Sequence, residues 1–166
     1  MRKGMKKRMM KLLLELLKDS KRSDREIAKV LDVSQPTVSR MRWRLEEEGV
    51  IKEFTVIPDF VKMGYAIMAI SCVKTKIPIT RLREKGVKWW KKYPNVIFAA
   101  GAEGMRKNGV MISLHKNYTD YSNFVTEQLR YWEDEIADYD TMLIDLKGII
   151  VKPLSLAYLA ELEETS

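Results

Sequence analysis

The chain has 166 residues, 46% of them hydrophobic, and a formal net charge of +7. That composition supplies a core and excludes wholesale disorder. The single cysteine, Cys72, excludes a disulfide framework and a cysteine cluster, and no apolar run reaches the roughly 18 residues of a membrane span. The charge is unevenly placed. Residues 1–57 hold 15 Lys and Arg against 9 Asp and Glu, whereas residues 58–166 hold 15 against 14. Part of the early excess is a basic start, Arg2, Lys3, Lys6, Lys7 and Arg8. The rest includes Arg40, Arg42 and Arg44, which fall inside a patterned segment. Glu15 interrupts the apolar run after the basic start, so that run reads as a helix rather than a leader. The expected location is the cytoplasm.

In chain order, Met10, Leu13, Leu14 and Leu17 recur at i, i+3, i+4, i+7 and predict an amphipathic helix over 5–18. Ser23 and Glu26 have the spacing of a capping box, starting a second helix that buries Ile27, Ala28 and Leu31. A short turn at Asp32-Val33 leads to Ser34 as the cap of a third helix, with Pro36 in its first turn, where a missing N–H costs little. That helix runs to about Glu48 and stops at Gly49. Val50 to Ile57 is β-prone and ends at Pro58. Helix, helix, tight turn, helix and strand is the order of a winged helix-turn-helix.

From Tyr65 the pattern changes. Tyr65–Val73 predicts a strand, 79–93 a helix, Val96–Ala100 and Val110–Leu114 two strands with a glycine-bearing loop between them. Tyr121, Phe124, Val125, Leu129 and Trp132 mark another helix, and Met142, Ile144 and Leu146 a last strand within 139–151. The order β-α-β-β-α-β is that of a ferredoxin-like split βαβ unit. The expected fold class is therefore α+β: a winged helix-turn-helix over 1–57, a linker over 58–64, a ferredoxin-like dimerisation and effector domain over 65–152, and a helix or tail over 153–166. Both alternating sets of 65–73 and of 96–100 are apolar or small, so two helices cover one sheet face and leave the other for a partner. A second copy is the simplest partner; the alternative is the final helix or the N-terminal domain.

A helix-turn-helix reads double-stranded DNA by laying its second helix in the major groove. The third predicted helix turns Val38, Met41 and Leu45 inward and leaves Gln35, Ser39, Arg40, Trp43 and Arg44 outward. Gln35, Ser39 and Arg40 are expected at base edges, since Gln pairs with adenine and Arg with guanine. Ser34, Thr37, Arg42 and Arg44 are expected at phosphates. Trp43 is expected either against a sugar–phosphate edge or packed on the wing. An ordinary three-helix bundle with a charged face explains less well why small polar residues and arginines lead, and acids wait until Glu46, Glu47 and Glu48.

These residues resemble the Lrp/AsnC (feast/famine) family of prokaryotic regulators. The resemblance is carried by Asp24-Arg25-Glu26-Ile27-Ala28, Val33-Ser34-Gln35-Pro36-Thr37-Val38-Ser39-Arg40, Leu45 to Ile51 and Gly64-Tyr65. It implies transcription regulation, dimers that pair their sheets, tetramers or octamers of such chains, and in some members an amino acid bound at contacts between dimers. Where that family often has Arg then an apolar residue, this chain has Met41 then Arg42. The effector loop implied by the resemblance, with Gly101, Glu103, Gly104, Arg106 and Asn108 as its candidate ligand contacts, is longer and more basic here and has no Asp. It is expected to take a different ligand, to touch a neighbouring subunit, or to be a plain hairpin.

No cofactor, metal site or membrane partner is expected, and the chain reads as a non-enzyme. His115, the only histidine, has no Cys or second His beside it and reads as structural or surface. Trp89, Trp90 and Trp132 read as core or interface, and the acids Glu133, Asp134, Glu135, Asp138 and Asp140 as solvated. Two alternatives stand beside DNA binding: an enzyme on the same scaffold, as in the siroheme decarboxylases that resemble this family, and an interaction module that keeps only the helix-turn-helix shape.

Overall fold

The computed structural model describes residues 7–162. The chain divides into two compact units, one from Met1–Ile57 with Lys152–Ser166, the other Pro58–Val151. The expected helix start at residues 5–6, the basic residues Arg2, Lys3 and Lys6, and the last residues of the C-terminal tail lie outside the described residues.

In the first unit, α1 spans Lys7–Lys18, α2 Asp24–Leu31 and α3 Gln35–Glu47, and a short α6, Tyr158–Leu162, packs on α1. The core gathers Leu12, Ile27, Val38 and Leu45, all fully buried, with Met9, Leu16 and Ala28 around them. Each such aliphatic side chain contributes about 1.5–3 kcal/mol by leaving water. The buried stripe of α1 is Met9, Leu12 and Leu16, not the expected Met10, Leu13, Leu14 and Leu17, which are only half-buried. The helix is rotated because Glu15 lies on the inner side. Its carboxylate is paired with Arg22 and, at 3.0 Å, with Lys18, so burying it costs less than its charge alone suggests. A run as leucine-rich as this one satisfies either phase.

Gly49 takes φ +66°, the left-handed position after a helix, and Val50 and Ile51 return amides to the Leu45 carbonyl. The expected strand over 50–57 has no ladder partner among the described residues. A β-prone stretch becomes a strand only where another edge receives its N–H and C=O groups. Ile51 still joins the core, while Phe54, Val56 and Ile57 stay exposed.

In the second unit, β1 is Ile67–Thr75, α4 Arg83–Trp90, β2 Val96–Gly104, β3 Lys107–His115, α5 Tyr118–Tyr131 and β4 Ile136–Asp145. A single 3-10 turn, Ile79–Leu82, precedes α4. The sheet is antiparallel in the order β2-β3-β1-β4. Residues Ala69, Ser71 and Thr75 of β1 and Met111, Ser113 and His115 of β3 are buried on one face. Leu82 of the 3-10 turn, Trp89 of α4 and Trp132 after α5 form an adjoining cluster. The opposite face carries Met68, Ile70, Ile112, Phe98, Met142 and Ile144 by register, with Phe98 51% and Met142 67% exposed.

Several sequence expectations shift here. The loop expected over 101–109 is mostly ladder. β2 and β3 meet in a two-residue turn, Met105 and Arg106, at φ +48° and +59°. Two left-handed central residues match the twist of a hairpin, so the strands continue past their apolar cores. The last strand starts earlier than expected and ends at Asp145, whose carbonyl and carboxylate receive the amides of Gly148 and Lys147. In α5, which Asn117 caps, Gln128 is buried and Leu129 is exposed. The final helix packs on α1, where Ala160 is fully buried.

Candidate nucleic-acid interface

Local chemistry builds the helix-turn-helix. Ser23 Oγ accepts the Glu26 amide while the Glu26 carboxylate accepts the Ser23 amide at 2.8 Å, a complete capping box that starts α2. The Ser23 hydroxyl, which also donates to the Glu26 carboxylate at 2.7 Å, and then the Ser23 amide hold the Glu26 carboxyl below its ordinary pKa. Asp32 ends α2 at φ +52°, and its amide and that of Val33 return to the Ala28 carbonyl. The chain thereby reverses in two residues and starts α3 at Ser34. Ser34 shares a 2.8 Å hydrogen bond with the Thr37 hydroxyl in place of capping a backbone amide.

One carboxylate holds the two helices at a set angle. Asp24, at the start of α2, accepts Ser39 Oγ at 2.6 Å and Arg42 Nη2 at 2.7 Å, and Arg42 also reaches the Arg22 carbonyl at 3.3 Å. The Arg42 guanidinium lies 5.9 Å from the Phe54 ring centroid. Burial raises the Asp24 pKa, but the hydrogen bonds from Ser39 and Arg42 and the charge of Arg42 outweigh it, and the net shift is downward.

The expected DNA-contacting residues are therefore placed unequally. Gln35 and Arg40 are exposed and make no side-chain hydrogen bond or ion pair among the described residues. Trp43 is 63% exposed. Arg44 is exposed and pairs with Glu48 at 2.5 Å. Ser39 and Arg42 are both held by Asp24. Sequence reasoning missed Asp24 as the brace. Its pairing with Arg42, 18 residues away, has no local signature.

The five hairpin residues do not form one pocket. Gly101 pairs with Gly109 across the ladder, Glu103 and Arg106 are exposed near the tip, and Gly104 closes β2 at φ +147°. Asn108 accepts the Thr75 amide and donates to the Thr75 hydroxyl, both at 2.8 Å, stapling β3 to β1. His115 is fully buried, with Nε2 2.8 Å from Ser113 Oγ and Nδ1 without a hydrogen bond, 3.8 Å from an Asp120 carboxylate oxygen. Burial lowers its pKa, partly offset by Asp120. Among the described residues no group of three or more metal-ligating side chains assembles, and no helix is long and apolar enough to cross a membrane.

A family model for winged helix-turn-helix DNA-binding domains matches residues 5–52. The HTH-type transcriptional regulator PH1692 of Pyrococcus horikoshii is 34% identical over 115 residues, 69% of this chain and 75% of that protein. The HTH-type transcriptional regulator FL11 of Pyrococcus furiosus is 32% identical over 117 residues, 69% of this chain and 74% of its own. A match to PH0061 of P. horikoshii is 36% identical over 69 residues and spans 46% of that protein. The crystal structure of PH0061 nevertheless superposes over 92% of this chain and 98% of its own, with TM-score 0.78 and 25% identity. Bacillus subtilis LrpC shares the fold at TM-score 0.72 and 21% identity, over 90% of this chain and all of its own. The chain belongs to the Lrp/AsnC family of DNA-binding transcription regulators.

Proposed function

We propose that this regulator reads specific sites on double-stranded DNA as a homodimer or a larger assembly of dimers. The observation that carries the reading is the outer face of α3, where Gln35 and Arg40 stand exposed and unpaired on a helix braced against α2. In this reading α3 lies in the major groove, with Gln35, Arg40 and the edge of Ser39 toward the bases. Ser34, Thr37 and Arg44 take phosphates, Arg44 by leaving Glu48. Trp43 presses on the sugar–phosphate edge. Arg42 acts through Asp24 by setting the angle of α3, not by touching phosphate.

The apolar open face of the sheet supports self-association, because Phe98, Met142 and their neighbours otherwise remain in water. Two copies joined there present two recognition helices to successive major grooves about 34 Å apart. Regulators among the relatives support a non-enzymatic role, and action on DNA supports a cytoplasmic location.

Selection of bound duplexes from a random pool, at about 0.15 M salt to suppress non-specific capture, tests this. The expected result is a pseudo-palindromic site with half-sites about one helical turn apart. Folded, soluble protein that enriches no motif refutes it.

A further inference from the structure

A cavity of about 440 Å³ lies within the second unit, between α4 and the face of β1, β2 and β3. Protein interiors pack to crystal density with few voids larger than a water molecule, whereas small-molecule sites run about 300–1,000 Å³. This one has an apolar body. Leu82 lines it from the 3-10 turn, Trp90 from α4 and Met111 from β3, and Trp132 lines it beyond the end of α5. Gly109 lets Val73 and Ile79 pack close to β3 at the cavity wall: a Cβ there would sit 2.8 Å from Val73 and 3.0 Å from Ile79. The edge of the cavity at Arg83 and Ala99 is exposed to solvent.

Its polar groups are weighted toward donors. Trp132 is 6% exposed and its Nε1–H has no hydrogen-bond partner. Gln128 is 2% exposed, and its amide nitrogen meets only the Met111 sulfur at 4.0 Å, while its oxygen already accepts the Tyr139 hydroxyl at 3.4 Å. Arg83 is the one charged residue lining the cavity, and it makes no ion pair among the described residues. A buried donor without a partner is costly, and an acceptor on a ligand recovers that cost. No carboxylate lines the space, so an ammonium group would enter unmatched.

We propose that this cavity binds a small apolar carboxylate without an amino group, its hydrocarbon body against the wall formed by Trp90, Trp132 and Met111 and its charge matched by Arg83. The site belongs to one protomer and lies on the helix-bearing side of the sheet, away from the open face. The inference concerns ligand binding alone and stands whether or not the ligand alters DNA affinity.

The test is calorimetric titration of the full chain with 3-phenylpropanoate, its uncharged analogue 3-phenylpropanamide, and L-phenylalanine. Saturable binding of the acid, one per chain, is expected, with the amide and the amino acid weaker by about tenfold or more. Arg83→Gln should reduce the acid to the level of the amide, and Ala99→Phe, which fills the mouth from an exposed strand position, should abolish binding of both. Unchanged thermal melts certify that both variants are folded. Absence of saturable binding by the acid, equal affinity for acid and amide, or an Arg83→Gln variant that binds the acid as tightly as the parent overturns the proposal.

Discussion

Replacing Arg42 by Ala separates bracing from DNA contact. The side chains of Arg42 and Asp24 are 20% and 21% exposed, so the pair is neither fully screened nor fully desolvated. Its two contacts, Nη2 at 2.7 Å and Nε at 2.9 Å, fall on one carboxylate oxygen and count as one charge-assisted interaction. Such an interaction contributes about 1.5–3 kcal/mol net. Removing Arg42 leaves Asp24 with Ser39 alone and empties the Arg22 carbonyl. We expect a loss of about 2 kcal/mol in the opening free energy of α2 and α3, read by native-state hydrogen exchange, which reports that unit by itself. A bracing arginine leaves the slope of log affinity against log salt unchanged, because no phosphate contact is lost. A phosphate-binding arginine lowers that slope by about 0.9. A slope reduced by that amount, with unaltered exchange protection, refutes the bracing role.

Arg40→Ala should behave oppositely, leaving stability within about 0.5 kcal/mol while relaxing specificity at one base position and weakening binding by about 1–3 kcal/mol; an unchanged binding-site profile contradicts the base-edge assignment. Ser23→Ala removes one half of the capping box and should cost about 1 kcal/mol in the same exchange measurement. His115 should make the second unit acid-sensitive. Its folded pKa lies below 6.5, so between that lowered value and 6.5 the unfolded chain binds the extra proton and stability falls as pH falls. His115→Gln should flatten that dependence in urea midpoints taken across this window, and an unflattened curve assigns it to other groups. Met142→Glu puts a charge on the open sheet face and should yield folded monomers by sedimentation, whereas unchanged assembly would place the interface elsewhere.

What was legible in the sequence was written in neighbouring residues. The Ser23–Glu26 box, Pro36 in a first helical turn and Gly49 after the last act over three or four positions, and they reappear as the boundaries of α2 and α3. Element order was legible for the same reason, since apolar period distinguishes helix from strand. The Lrp/AsnC resemblance followed from that short, dense segment.

The hairpin shows where such reading ends. Gly101 to Gly109 looked like a loop because glycines and charges break the apolar pattern. Pairing of Gly101 with Gly109 and the Asn108–Thr75 staple turn most of it into ladder. The phase of α1 was open until Arg22 and Lys18 neutralised Glu15. The strand expected over 50–57 needed an edge that its unit does not supply among the described residues. Sequence alone thus determined which segments form helices, where α2 and α3 start and stop, and that α3 carries an exposed polar face. Tertiary structure decided which arginine on that helix is free and which is bound to Asp24, and where a cavity opens beneath α4. Those outcomes depend on groups brought together from 18 or more positions apart, and on space left by side chains that never adjoin in the chain.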